Sequence, residues 1–148
     1  MSPLRLLAIF AHPDDESFAA GGTLALYAAR GVEVYYVCAT RGEAGDVDPR
    51  FLDGYATVAA LREAELRCAA KELGLAGVDF LGFRDSGMVG SPDNGHSDAL
   101  VAQAVETVAR RIVCHIRRLR PQVVITHDPV SYTHLRAHET PEHLVCRL

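Results

Sequence analysis

The sequence predicts an α/β domain built on a doubly wound, mostly parallel sheet with helices on both faces. Three observations predict it. Four short runs rich in aliphatic and β-branched residues recur along the chain: "RLLAIFA", "VEVYYVCA", "VDFLGF" and "QVVIT". They are near-continuously apolar, as strands buried on both faces of a parallel sheet are, rather than alternating. Segments long enough for helices separate them, and β and α alternating at this spacing imply parallel strands joined by right-handed crossovers.

The first run is followed by a helix expected to start near Glu16 and to end at "ARG", with Gly31 as its left-handed cap. After the second run, a helix is expected from about Thr57 to Leu73, with Leu61, Ala64, Cys68 and Ala69 on its apolar stripe and Gly74 stopping it. The third helix has the clearest pattern. From Asp98 onward Val101, Val105, Val108, Ile112, Ile116 and Leu119 recur in steps of three or four, and Pro121 ends the series. The stretch "SPDNGHSD" before it reads as a mobile loop over the crevice, with His96 exposed to solvent.

Composition bounds the function. The 148 residues suit one domain, and 49% hydrophobic residues suffice for one core. No apolar stretch approaches the roughly 20 residues that span a bilayer. No cleavable leader is legible, so a cytoplasmic location is expected. A net charge of −4 argues against a nucleic-acid partner, and the basic cluster "RRIVCHIRRLR" reads as the solvated face of a helix. Cys38, Cys68, Cys114 and Cys146 lack CxxC spacing and read as buried free thiols. Oligomeric state is left open.

In open parallel sheets, ligands bind beyond the carboxyl ends of the strands. Here each strand leads into polar residues: "HPDDE", "TRGEAGD", "RDSGM" and "HDP". The block "AHPDDE" crowds His12, Asp14, Asp15 and Glu16 onto one turn. A helix N-terminus accounts for one carboxylate. Three in succession repel one another, a cost that a bound cation relieves. His12 and Asp15, three residues apart, can direct a nitrogen and an oxygen at one ion, a donor set suited to zinc or a similar divalent metal. Asp14, projecting elsewhere, is the candidate general base.

Together "AHPDDE", "TRGEAG", "LREAEL...AAKELGL", "FRDSGM" and "VVITHDP" resemble the LmbE/PIG-L family of zinc-dependent N-acetylglucosaminyl de-N-acetylases, from about Leu4 to Pro129. The resemblance implies a Rossmann-like fold and a Zn2+ cofactor, with Fe2+ as another divalent option. It implies hydrolysis of an acetamide on a small-molecule amino-sugar or glycoconjugate. His12 and Asp15 correspond to metal ligands, Asp14 to the general base, and Arg62 and Asp85 to residues near the sugar. Glu43 fits a solvated loop acid as well as a site role, and His127 is expected at the crevice rim.

The family continues past the fourth strand with a Gly-rich turn into Gly-His-Pro-Asp-His, which carries the third zinc ligand. Here "VSYTHLRAHETPEHLVCRL" stands in its place. His134 and His138 stand at i and i+4, a spacing at which two imidazoles can share a metal. The tail also resembles one reading frame of the transposase-end adapter DNA used in short-read library preparation. That likeness implies an incomplete, C-terminally truncated deacetylase domain over 1–129, a non-native or unstructured tail over 130–148, and impaired activity. Two rival readings stand beside deacetylation: an amidase of thiol conjugates or other N-acyl substrates, and a non-catalytic nucleotide-binding module. The absence of a G-x-G-x-x-G after the first strand counts against the module.

Overall fold

A computed structural model describes residues 3–127 of the chain. In chain order the elements are β1 (Arg5–Phe10), α1 (Asp15–Phe18), α2 (Gly21–Ala29), β2 (Glu33–Cys38), α3 (Val58–Glu72), β3 (Gly77–Phe80), α4 (Val105–Leu119) and β4 (Val123–Thr126). The four strands form one sheet in the order β3-β2-β1-β4, with every pair parallel. The chain builds outward from β1 in one direction and then crosses back to place β4 on its other side. The gap between the ends of β1 and β4 is therefore the topological switch point, where such sheets bind ligands. Register sets Phe10 against Cys38 and Ile9 against Thr126, so the residues after β1, β2 and β4 emerge at one level.

Each face of the sheet carries its own apolar cluster. On one face Leu6, Ala8, Phe10, Val34, Tyr36 and Cys38 pack with Leu24 of α2 and Leu66 of α3. On the other, Leu7, Ile9, Val37, Ala39, Leu81 and Phe83 meet Val108, Ile112, Ile116 and Leu119 of α4. Burial on both faces is nearly complete only in β1 and β2, where Arg5, Glu33 and Tyr35 alone are half-buried. In β3 no residue is fully buried, and Val123 and Thr126 of β4 are exposed.

Several elements differ from their sequence patterns for identifiable reasons. The expected first helix is two, because Ala20 adopts φ −141° and restarts the chain at Gly21. On α3, Gly74 follows the end at φ 72°, as expected, and Thr57 caps the start, its hydroxyl accepting the Ala60 N–H. Its buried residues are Leu61, Leu66 and Ala70, however, and Cys68 is exposed. Half-buried Arg62 stands one turn before buried Leu66, at i and i+4 on the same face, with buried Ala70 one turn further on. A stripe drawn through apolar residues alone passes over the arginine at its head. The α4 pattern also starts too early in sequence: Leu100–Ala102 is a 3₁₀ turn, and Val101 and Val105 are exposed. Ala104 is extended, so the helix begins only at Val105.

Among the described cysteines only Cys38 is buried; Cys68 and Cys114 are exposed, and Cys146 lies outside the described residues. The basic cluster of α4 is partly tied down. Arg111 lies over the Phe83 ring at 4.1 Å and donates to the Leu81 carbonyl, and Arg118 pairs with Asp79. The stretch "SPDNGHSD" is folded around a 3₁₀ turn at Pro92–Gly95, with Asn94 donating to the Ser86 and Met88 carbonyls. No helix among the described residues is long and apolar enough to cross a membrane.

Candidate active site

The turn leaving β1 is held partly by its own carboxylates and partly by side chains from other segments. Asp15 Oδ2 accepts the backbone N–H groups of Ala11 at 3.1 Å and His12 at 2.9 Å, so the carboxylate is pinned beneath the turn. The His12 imidazole lies beside it, with Nδ1 3.8 Å from the same oxygen. The Tyr36 hydroxyl of β2 donates to the His12 carbonyl at 3.0 Å, and just past the end of β2 the Thr40 hydroxyl donates to the Ala11 carbonyl at 2.9 Å. Burial pushes the Tyr36 phenol far above its ordinary pKa, so it stays a neutral donor. The same effect pushes the neighbouring Cys38 thiol up to about 12.

Distant segments supply the rest. Arg62 reaches from α3 to donate to Asp14 Oδ2 at 2.6 Å and to the Pro13 carbonyl at 2.5 Å. Asp85, buried after β3, places Oδ1 at 3.3 Å from His12 Nε2. Its carboxylate also accepts the N–H groups of Gly87 at 3.0 Å and Ala44 at 3.3 Å. Glu43 accepts the Asp85 N–H at 3.0 Å, which links the loops after β2 and β3. The hydrogen bond to Asp85 holds His12 above the ordinary imidazole pKa against the opposing pull of burial. Burial pushes Asp85 up, but His12 and the backbone donors outweigh it and leave the carboxyl below its usual range.

At the switch point His127 follows β4, with Nε2 3.6 Å from Asp15 Oδ2 and its ring 4.6 Å from that of Phe10. Two ligands of a tetrahedral ion, each ~2.0–2.2 Å from it, stand roughly 3.3–3.5 Å apart. The His12–Asp15 separation is close to that, so this mixed nitrogen and oxygen pair fits as part of a divalent-metal site. Among the described residues no group of three or more His, Cys, Asp or Glu side chains could hold an ion. His134 and His138 lie outside the described residues.

The structure therefore gathers all five residues singled out in the sequence: His12, Asp14, Asp15, Arg62 and Asp85. His96 is exposed, as expected, on the wall of a neighbouring cleft of about 260 Å³ that Glu43 also lines. Sequence reasoning gave no role to Tyr36 and Thr40. Their signal was available: a hydroxyl inside an apolar strand and another two residues past its end, each needing a partner once buried.

The profile of the PIG-L family, described as GlcNAc-PI de-N-acetylase, matches residues 7–147. This chain belongs to that family. It is 44% identical to the 1D-myo-inositol 2-acetamido-2-deoxy-alpha-D-glucopyranoside deacetylase of Actinosynnema mirum, over 93% of this chain and 53% of that protein. Among solved structures, it resembles the N,N'-diacetylchitobiose deacetylase of Pyrococcus horikoshii with a TM-score of 0.69 and 27% identity, over 96% of this chain and 46% of that one. A 4-carboxy-2-hydroxymuconate hydratase from Pseudomonas putida shares the fold with a TM-score of 0.58 and 28% identity, over 84% of this chain and 47% of that one. The chain spans about half the length of the curated relatives it matches.

Proposed function

We propose that this chain carries the first part of the active site of a metal-dependent N-deacetylase. Its substrate class would be small N-acetylglucosaminyl conjugates, and the inositol glucosaminide named for the Actinosynnema relative is the first candidate. The observation that carries the reading is the turn after β1. It sets a nitrogen and oxygen donor pair, His12 and Asp15, beside a carboxylate, Asp14, that Arg62 holds out of the donor set.

His12 and Asp15 would hold the metal, with a third ligand from beyond the described residues. When bound, a zinc or similar ion supplies a Lewis acid that makes water acidic near neutral pH and polarises a carbonyl. Asp14 takes the proton from the attacking water and returns it toward the leaving amine, as a positioned carboxylate general base can. Arg62 holds the Asp14 carboxylate in place and presents its remaining guanidinium donors to sugar hydroxyls. Both oxygens of Asp85 already have partners, which supports a role in orienting the His12 ring alongside any contact with sugar.

The reading includes the tail: the family profile runs on to residue 147, but the Gly-His-Pro-Asp-His block does not appear there, so residues from Val130 onward are read as foreign and the site as complete only with a family-type continuation. The test compares zinc content and chelator-sensitive acetate release in this chain and in one whose residues after Pro129 are replaced by a Gly-His-Pro-Asp-His continuation. Stoichiometric zinc and turnover are expected only in the restored chain. Zinc and turnover in the unaltered chain would make His134 or His138 the third ligand. A restored chain that binds zinc but hydrolyses only thiol-conjugate amides would replace the substrate class.

A further inference from the structure

Asp14 occupies the position that starts α1, at φ 114° and ψ −30°. An L-residue rarely adopts that conformation, and where one does the surroundings must hold it. An Asp at the start of a helix ordinarily turns its carboxylate back onto the first free N–H groups. Asp14 makes no such bond; its carboxylate points to Arg62 instead. Its carbonyl still opens the helix, accepting from Ser17 at 2.9 Å and Phe18 at 3.0 Å. The backbone of Asp14 is thus committed to the helix while its side chain is released into the crevice.

Glu16 takes over the local work. It is 1% exposed, a position at which a carboxylate is costly unless its oxygens are bonded. Oε2 accepts the Asp14 N–H at 2.9 Å and Oε1 accepts the Ser17 hydroxyl at 2.7 Å. The arrangement is related to the capping box, in which an acid reaches back to the first N–H of its helix. Here the reciprocal half is missing, and α1 is only four residues long, so there is little helix for a cap to stabilise. We propose that Glu16 is a positioning residue for Asp14: its buried carboxylate grips the Asp14 N–H and holds the left-handed backbone that turns the Asp14 carboxylate outward. The functional consequence rests on Asp14 being the base; the grip itself does not.

The test uses the 15N-labelled chain and amide hydrogen exchange. In the unaltered chain the Asp14 amide is expected to exchange slowly although it lies in a loop. Glu16→Gln keeps a carbonyl acceptor and should keep that protection. Glu16→Leu keeps bulk without an acceptor and should speed Asp14 exchange at least ~10-fold, the scale of one lost hydrogen bond. The Leu7 and Val37 amides of the core strands should be unaffected. In the restored, zinc-loaded chain, Glu16→Leu should lower kcat with KM little changed, and Glu16→Gln should recover it. A fast Asp14 amide in the unaltered chain, or one equally slow in Glu16→Leu, overturns the proposal. If Glu16→Leu does not fold, the unaltered chain and Glu16→Gln still decide, because loss of Asp14 protection in either is fatal. Slow exchange in a chain whose restored version never deacetylates would sink the enzymatic reading and leave the grip standing.

Discussion

The turn after β1 and the end of β4 meet at the switch point but are held in different ways. In the turn, the Asp15 and Glu16 carboxylates accept hydrogen bonds from donors within four residues. His127, by contrast, is placed by strand register against β1 and by its ring contact with Phe10, far away in the chain. A local network keeps its shape wherever its strand is built. A residue placed by register depends on the continuity of an outer strand and on the chain that extends it. The first half of the site is therefore expected to survive changes to the tail, and the second half is expected to depend on them.

The largest expected effect tests whether the turn supplies the base. In the restored chain Asp14→Asn should lower kcat by roughly 10²–10⁴-fold, the usual contribution of a general base. Zinc content and KM should stay nearly unchanged, because Asp14 is outside the donor pair. Steady-state kinetics with metal analysis checks this. Retained kcat would move the base elsewhere, and lost zinc would make Asp14 a ligand.

The same contrast explains what the sequence made legible. The residues of "AHPDDE" act on one another, so their spacing alone carried the donor pair and the spare carboxylate. Arg62 reaches Asp14 across 48 residues from α3, and Asp85 reaches His12 from the loop after β3, at still greater separation in the chain. Only the family resemblance pointed to them, and it could not show that Asp85 touches His12. The fold was legible because buried parallel strands announce themselves by composition. The inward face of α3 was not, because its head is an arginine whose reason for facing inward lies in another loop. Periodicity on α4 gave the face but not the start, since Val101 and Val105 continue the pattern into residues whose backbone is not helical.

A smaller effect probes a long-range support of the turn. Asp85→Asn should weaken zinc binding of the restored chain about 10–100-fold, the usual cost of losing a carboxylate behind a ligating imidazole. In the metal-free chain the pair also has a pH signature. His12 is raised, so its contribution to stability is complete below the unfolded imidazole value of about 6.5 and fades as pH rises through the folded value. Asp85 is lowered, so its contribution is present above about 3.9 and fades as pH falls through its folded value. Urea midpoints against pH should show both limbs in the unaltered chain and flatter ones in Asp85→Asn. Identical profiles would mean that the two side chains do not interact in solution.

The smallest effect concerns the backbone of the turn and needs neither metal nor substrate. At an ordinary helix position Ala is more stable than Gly by roughly 0.5–1 kcal/mol, because Gly has more freedom to lose. At position 14 the order should reverse. The φ of 114° sets a Cβ against its own backbone, at a cost of order 1–3 kcal/mol that Gly escapes. Asp14→Gly and Asp14→Ala both remove the carboxylate and its bond to Arg62, so their difference isolates the backbone conformation. Asp14→Gly is expected to unfold at higher urea than Asp14→Ala, by about 1 kcal/mol once the entropy of Gly is subtracted. The opposite order would show that position 14 relaxes to an ordinary conformation in solution, leaving Glu16 without a left-handed backbone to hold. The expected order would mean that the turn stays in this conformation even without its carboxylate, so that Asp14 is built onto a backbone already set to present it.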